Sequence, residues 1–73
     1  MNERHFALSD MEYNLVTTLS NLLQSEDALH KYIADADRAG NEKVGKIFGE
    51  LHDSNREFAK RLRECLQEEL TNR

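Results

Sequence analysis

Apolar residues recur along this chain at steps that alternate four and three. In the first half they fall at Leu15, Leu19, Leu22, then Leu29, Ile33 and Ala36, with Glu26 occupying the one position between that should be apolar. In the second half the same alternation gives Val44, Phe48, Leu51, Asn55, Phe58, Leu62 and Cys65, again with one polar member, Asn55. A pattern with this period is the seam of an amphipathic helix packed against another helix.

Start and stop signals divide the pattern into two helices. Ser9 followed three residues later by Glu12 forms a capping box, and Leu8 and Tyr13 occupy the positions of a hydrophobic staple. Gly40 suits the left-handed position that ends a helix, and Asn41 is suited to cap the next one. The pattern therefore predicts a loose tail over residues 1–8 and a helical hairpin over 9–73. Helix one covers about 10–39 and helix two about 42–70. A connection this short makes the helices antiparallel neighbours.

Folding the chain at Gly40–Asn41 pairs the layers: Ala36 with Val44, Ile33 with Phe48, Leu29 with Leu51, Leu22 with Phe58, Leu19 with Leu62 and Leu15 with Cys65. The remaining pair is Glu26 with Asn55, each fourteen residues, or ~21 Å of helix, from its side of the turn. The expectation is a buried polar layer in which Asn55 donates to the Glu26 carboxylate and fixes the register.

The apolar surface extends beyond this seam. Val16 and Leu23 lie on one flank of helix one, Ala59 and Leu66 on the matching flank of helix two, and Tyr32 and Ile47 on the other flank. Two helices cannot cover so wide a stripe. The fold class expected is all-α, an antiparallel two-helix hairpin that dimerises into a four-helix bundle about a two-fold axis.

Composition supports this and narrows the function. The chain has 73 residues, 38% of them hydrophobic and 33% charged, with one cysteine and no proline. A chain this short is marginal on its own, and a single cysteine allows no internal disulfide. The net charge of −4 argues against a nucleic-acid partner, and no apolar run is long enough for a membrane span. The N-terminal residues lack a signal-peptide core and the cysteine stands alone, so a reducing, cytoplasmic setting is expected.

Candidate chemistry is sparse. His30 lies one turn after Glu26, and His52 one turn before Asn55; counted from the turn the two histidines are nearly level. Glu26, His30 and His52 would make a two-histidine, one-carboxylate set suited to iron, nickel or zinc. The Gly45–Gly49 pair at i, i+4 suggests close packing against helix one or a symmetry mate. Cys65 reads as a small core residue. The basic cluster Lys60, Arg61 and Arg63, interleaved with Glu57 and Glu64, reads as a solvated face. No nucleophile–base set or phosphate loop is visible, so an enzyme is not expected.

The segments SEDALHKY, with Glu26, Ala28 and Tyr32, and VGKIFGELHDSNREFAKRL resemble the helical hairpin of the rubrerythrin and ferritin-like superfamily over roughly residues 19–70. That resemblance implies a four-helix bundle in which each hairpin supplies a glutamate and a Glu-x-x-His to a pair of iron or manganese ions. Glu26 matches the glutamate of the first helix. The Glu-x-x-His would fall at positions 55 and 58, which are Asn55 and Phe58, so two of the three ligands are absent. The reading that follows is a non-catalytic, ferritin-like homodimer acting as a structural or protein-interaction module. Its partner is a second copy or another helical protein, and no cofactor is expected. The alternative is a bundle that binds iron, manganese or zinc through Glu26, His30 and His52.

Overall fold

The computed structural model describes residues 9–71, so the tail, the Leu8 half of the staple and His5 lie outside the described residues. Two helices make up the fold, α1 over Asp10–Arg38 and α2 over Glu42–Thr71. They pack side by side as a hairpin measuring 51 × 19 × 13 Å.

Local chemistry sets each boundary. Ser9 Oγ accepts from the Glu12 backbone N–H at 3.1 Å, and Glu12 Oε1 accepts from the Ser9 N–H at 3.0 Å. This closed capping box satisfies two backbone donors that the first turn otherwise leaves without partners. At the other end of α1, the Asn41 N–H donates to the Ala36 carbonyl at 2.9 Å and the Gly40 N–H to the Asp37 carbonyl at 3.0 Å. That pair of bonds is a Schellman motif, and it requires the positive φ of 70° that Gly40 adopts. Asn41 then caps α2, its Oδ1 accepting from the Val44 N–H at 3.1 Å. Toward the end of α1, Lys31 donates to the Asp35 carboxylate at 3.0 Å, and Arg38 in the last turn pairs with the same carboxylate. The Lys31 hydrogen bond, with the added attraction of Lys31 and Arg38, holds the Asp35 carboxyl below its ordinary range.

Gly40→Ala is expected to destabilise the hairpin by about 1 kcal/mol or more, because an L side chain is strained at left-handed φ. A thermal melt checks this, and an unchanged midpoint would contradict the turn geometry.

The seam of α1 is as the pattern predicts: Leu15, Leu19, Leu22, Glu26, Leu29, Ile33 and Ala36 are all buried or half-buried. The seam of α2 differs. Phe48, Asn55 and Leu62 face inward as expected, but Val44, Leu51, Phe58 and Cys65 are exposed. Their places are taken by the next residue along the chain, Gly45, His52, Ala59 and Leu66. One residue is 100° of helix, so replacing half the seam by its neighbours turns α2 by about half that angle relative to α1. Small residues explain the choice. Gly45 lies against Ala36, where an added Cβ would stand 3.6 Å from the Ala36 Cβ, and Ala59 is buried where Phe58 was expected. Gly49 has open space around it, so close helix approach within the hairpin explains Gly45 and not Gly49.

This rotation leaves a thin core. Only Leu29, Ala36 and Ala59 are buried apolar residues among those described, and no large side chain is fully buried.

Candidate functional site

Three of the residues singled out from the sequence meet in one place. Glu26 sits on α1 where the seam passes the middle of the hairpin, and only 8% of it is exposed. His52 enters the interface through the rotation of α2. Its Nε2 lies 3.1 Å from Glu26 Oε1. His30, one turn beyond Glu26 on α1, brings its own Nε2 to 3.4 Å from the same His52 nitrogen. The two imidazole rings meet edge to face, with centroids 4.8 Å apart and planes at 81°.

The sequence paired Glu26 with Asn55, and the geometry supplies a different neighbour. Oε1 of Glu26 faces His52, while Oε2 is buried without a hydrogen-bond partner. Asn55 is half-buried and makes no hydrogen bond to Glu26. The reason is again the phase of α2. With His52 turned toward α1, Asn55 moves to the opposite edge of the interface, on the side of Leu51 and Phe58.

On its far side, His52 Nδ1 lies 3.7 Å from Oδ1 of the exposed Asp53, too far for a hydrogen bond. The cluster forms the floor of an open groove walled by Leu23 and Asp27 of α1 and by Arg56 and Lys60 of α2. His30 is exposed, whereas His52 and Glu26 are held within the interface. Among the described residues, no group of three or more His, Cys, Asp and Glu side chains is arranged as placed to hold a metal ion.

A carboxylate with one unmatched buried oxygen is a poor source of stability. Glu26→Leu is therefore expected to leave stability unchanged or raise it by up to about 2 kcal/mol. Urea unfolding measures this at a fixed protein concentration. A loss above about 1 kcal/mol would mean that the carboxylate anchors the fold.

The second feature is apolar. Val44, Ile47, Leu51 and Phe58 of α2 are exposed, Ile47 by 54% and Phe58 by 50%. Tyr32 of α1 joins them, its ring 5.9 Å from that of Phe48. Arg61 lies over the Phe58 ring, 5.1 Å from its centre. Val44, Leu51 and Phe58 each precede an interface residue, while Asp53 and Lys60 each follow one. The apolar stripe and the histidine groove are therefore on opposite sides of the hairpin. On the groove side, Leu66 lines a shallow hollow together with Val16, Leu19 and Leu23. Cys65, expected in the core, is exposed with a free thiol, because Leu66 has taken the inward position.

No helix among the described residues is long and apolar enough to cross a membrane. No family model matches this chain, and neither a curated protein nor a solved structure matches it.

Proposed function

We propose that this chain is a structural or protein-interaction module that works as a homodimer, two hairpins joining through the stripe of Val44, Ile47, Leu51, Phe58 and Tyr32 into an antiparallel four-helix bundle. The observation that carries this reading is the imbalance between the two sides of α2. The hairpin buries Leu29, Ala36 and Ala59 but leaves the larger Val44, Ile47, Leu51 and Phe58 in water. A chain this short needs more buried apolar surface than that to stay folded.

A second copy is the occupant that fits best. In a four-helix bundle each helix has two helical neighbours, so its apolar arc is wider than one seam, and its largest side chains point toward the bundle axis. The arc of α2 has this form. One edge of it, Gly45, His52 and Ala59, meets α1, and its centre, Leu51 and Phe58, is left about half exposed. A two-fold axis beside Leu51 and Phe58 would set the same stripe against itself, and the resulting interface is self-complementary without any further sequence requirement. This architecture agrees with the bundle that the ferritin-like resemblance implies.

Folding and association are then a single equilibrium. The thermal midpoint is expected to rise with protein concentration, because dilution favours the separated, unstable hairpins. A midpoint constant over a hundredfold range of concentration would contradict the reading.

A further inference from the structure

We infer that the groove floored by the histidine cluster is a docking site for an acidic amphipathic helix of a partner protein. This goes beyond the dimeric module and does not depend on it, since the groove faces away from the apolar stripe.

The first support is charge. The basic cluster that the sequence presents as one solvated face is divided in the structure. Arg61 lies over the Phe58 ring on the stripe side, whereas Lys60 and Arg63 line the groove together with Arg56. Elsewhere in the hairpin, Lys31 and Arg38 pair with Asp35, and Lys46 pairs with Glu50. Arg56, Lys60 and Arg63 make no ion pair with any described residue, although Lys60 has Glu57 and Glu64 within one turn of it. Three uncompensated cations along one groove, in a chain whose net charge is −4, create a local field that favours carboxylates.

The second support is an apolar row beside these cations. Leu23 is 51% exposed and Val16 40%. Leu23 lines the same groove as Arg56 and Arg63, and with Val16 and Leu66 it lines the adjoining hollow. Val16 and Leu23 are seven residues apart on α1, as Arg56 and Arg63 are on α2, which is about 10 Å of helix in each case. An apolar row and a basic row of equal length therefore share the groove. A furrow between two packed helices is a seat for a third, and an amphipathic helix carries apolar residues at i, i+3, i+4 and i+7 with charges beside them. Such a helix, with leucines on Val16, Leu23 and Leu66 and glutamates on its α2 side, meets both rows at once.

The third support decides between an acidic helix and a nucleic acid. Asp27, Asp53 and Glu57 stand on the same walls as the cations. A uniformly charged phosphate backbone laid in the groove would meet these carboxylates, and its phosphates would gain nothing from Leu23 or Val16. A helix carries its carboxylates at separate positions, so it can set them against Arg56, Lys60 and Arg63 and keep them clear of the acidic residues.

The test uses the untagged full-length chain and two fluorescent synthetic helices of about 18 residues, or about 27 Å. Both carry leucine at i, i+3, i+4 and i+7; one has glutamate along the flank and the other has lysine. Fluorescence anisotropy at low salt follows binding. The glutamate probe is expected to bind with a Kd below about 100 μM, at least about tenfold tighter than the lysine probe, and to weaken as salt is added. Lys60→Glu with Arg63→Glu is expected to weaken the glutamate probe at least about tenfold. Both positions are exposed, so the helical circular dichroism and the sedimentation of the chain stay as in wild type, and neither a folding defect nor a lost dimer imitates the result. Leu23→Asp is expected to weaken both probes, because the leucine row of each loses its apolar contact. The proposal is overturned if the glutamate probe does not bind, if the two probes bind alike, or if the charge reversal changes neither. It is equally overturned if a single-stranded oligonucleotide of the same charge binds more tightly than the glutamate probe and loses that binding in the charge-reversed chain, which would make the groove a nucleic-acid site.

Discussion

Phe58→Asp is expected to break the proposed dimer. Half of Phe58 is exposed in the hairpin, and pairing two hairpins would bury that half in both copies. At about 1.5–3 kcal/mol for a whole phenylalanine, the two halves together contribute about the same, 1.5–3 kcal/mol, to association. The substituted carboxylate adds a desolvation penalty of several kcal/mol at a site whose neighbours are Leu51, Leu62 and the Arg61 that now covers the ring. Dimerisation should therefore weaken by at least about a hundredfold, since each 1.4 kcal/mol is a factor of ten. Sedimentation velocity at low-micromolar concentration measures it. Leu23→Asp is the matched control. Leu23 is exposed to the same degree, but it lies on the groove side. It should leave association within a few-fold of wild type. If Phe58→Asp stays dimeric, or if the Leu23 variant dissociates as readily, the interface is not the stripe.

Leu29→Ala is expected to cost 2–5 kcal/mol of stability, the range for removing a buried leucine and leaving a cavity. Leu29 is 4% exposed, the most buried apolar side chain of the hairpin. It stands one seam position beyond Glu26, on the buried face of α1. A domain of this size has only a few kcal/mol to lose, so much of the variant should be unfolded at moderate temperature. Urea denaturation at the same protein concentration for both forms gives the difference. A loss below about 1 kcal/mol would show that the seam around Leu29 collapses to fill the space, or that the core lies elsewhere.

Some of this architecture could be read from the residues and some could not, for definite physical reasons. The helix ends were legible because each is set by a few neighbours in the chain. Ser9 and Glu12 close their own box, Gly40 alone tolerates the φ at its position, and Asn41 reaches the first turn that follows it. The seam of α1 was legible because its residues keep the four–three spacing throughout, with Val16, Leu23 and Tyr32 only flanking it. The phase of α2 was not. Its apolar arc runs from Val44 and Leu51 through Phe48 and Asn55, and hydrophobicity cannot tell which edge of a broad arc meets the nearest helix. The signal that decided it was size. Gly45 and Ala59, flanked by larger residues, mark the side where two backbones come close. The same misjudged phase placed Cys65 in the core and Asn55 against Glu26.

The histidines show the reverse. Counting residues from the turn brought His30 and His52 to the same level, and the structure has them in contact at 3.4 Å. The direct approach of His52 to Glu26 required the rotation of α2, which no residue count supplies. Glu26 itself stood out from the start, as a carboxylate in an otherwise apolar line, and it is buried there.

The central claim is that this hairpin exists as a pair joined on the side of Leu51 and Phe58. Sedimentation equilibrium of the untagged chain tests it most directly, since the mass it returns is independent of shape. The account predicts twice the chain mass of 8.5 kDa at low-micromolar concentration, with dissociation and loss of helix occurring together on dilution. A folded, helical species of single-chain mass under the same conditions would contradict it.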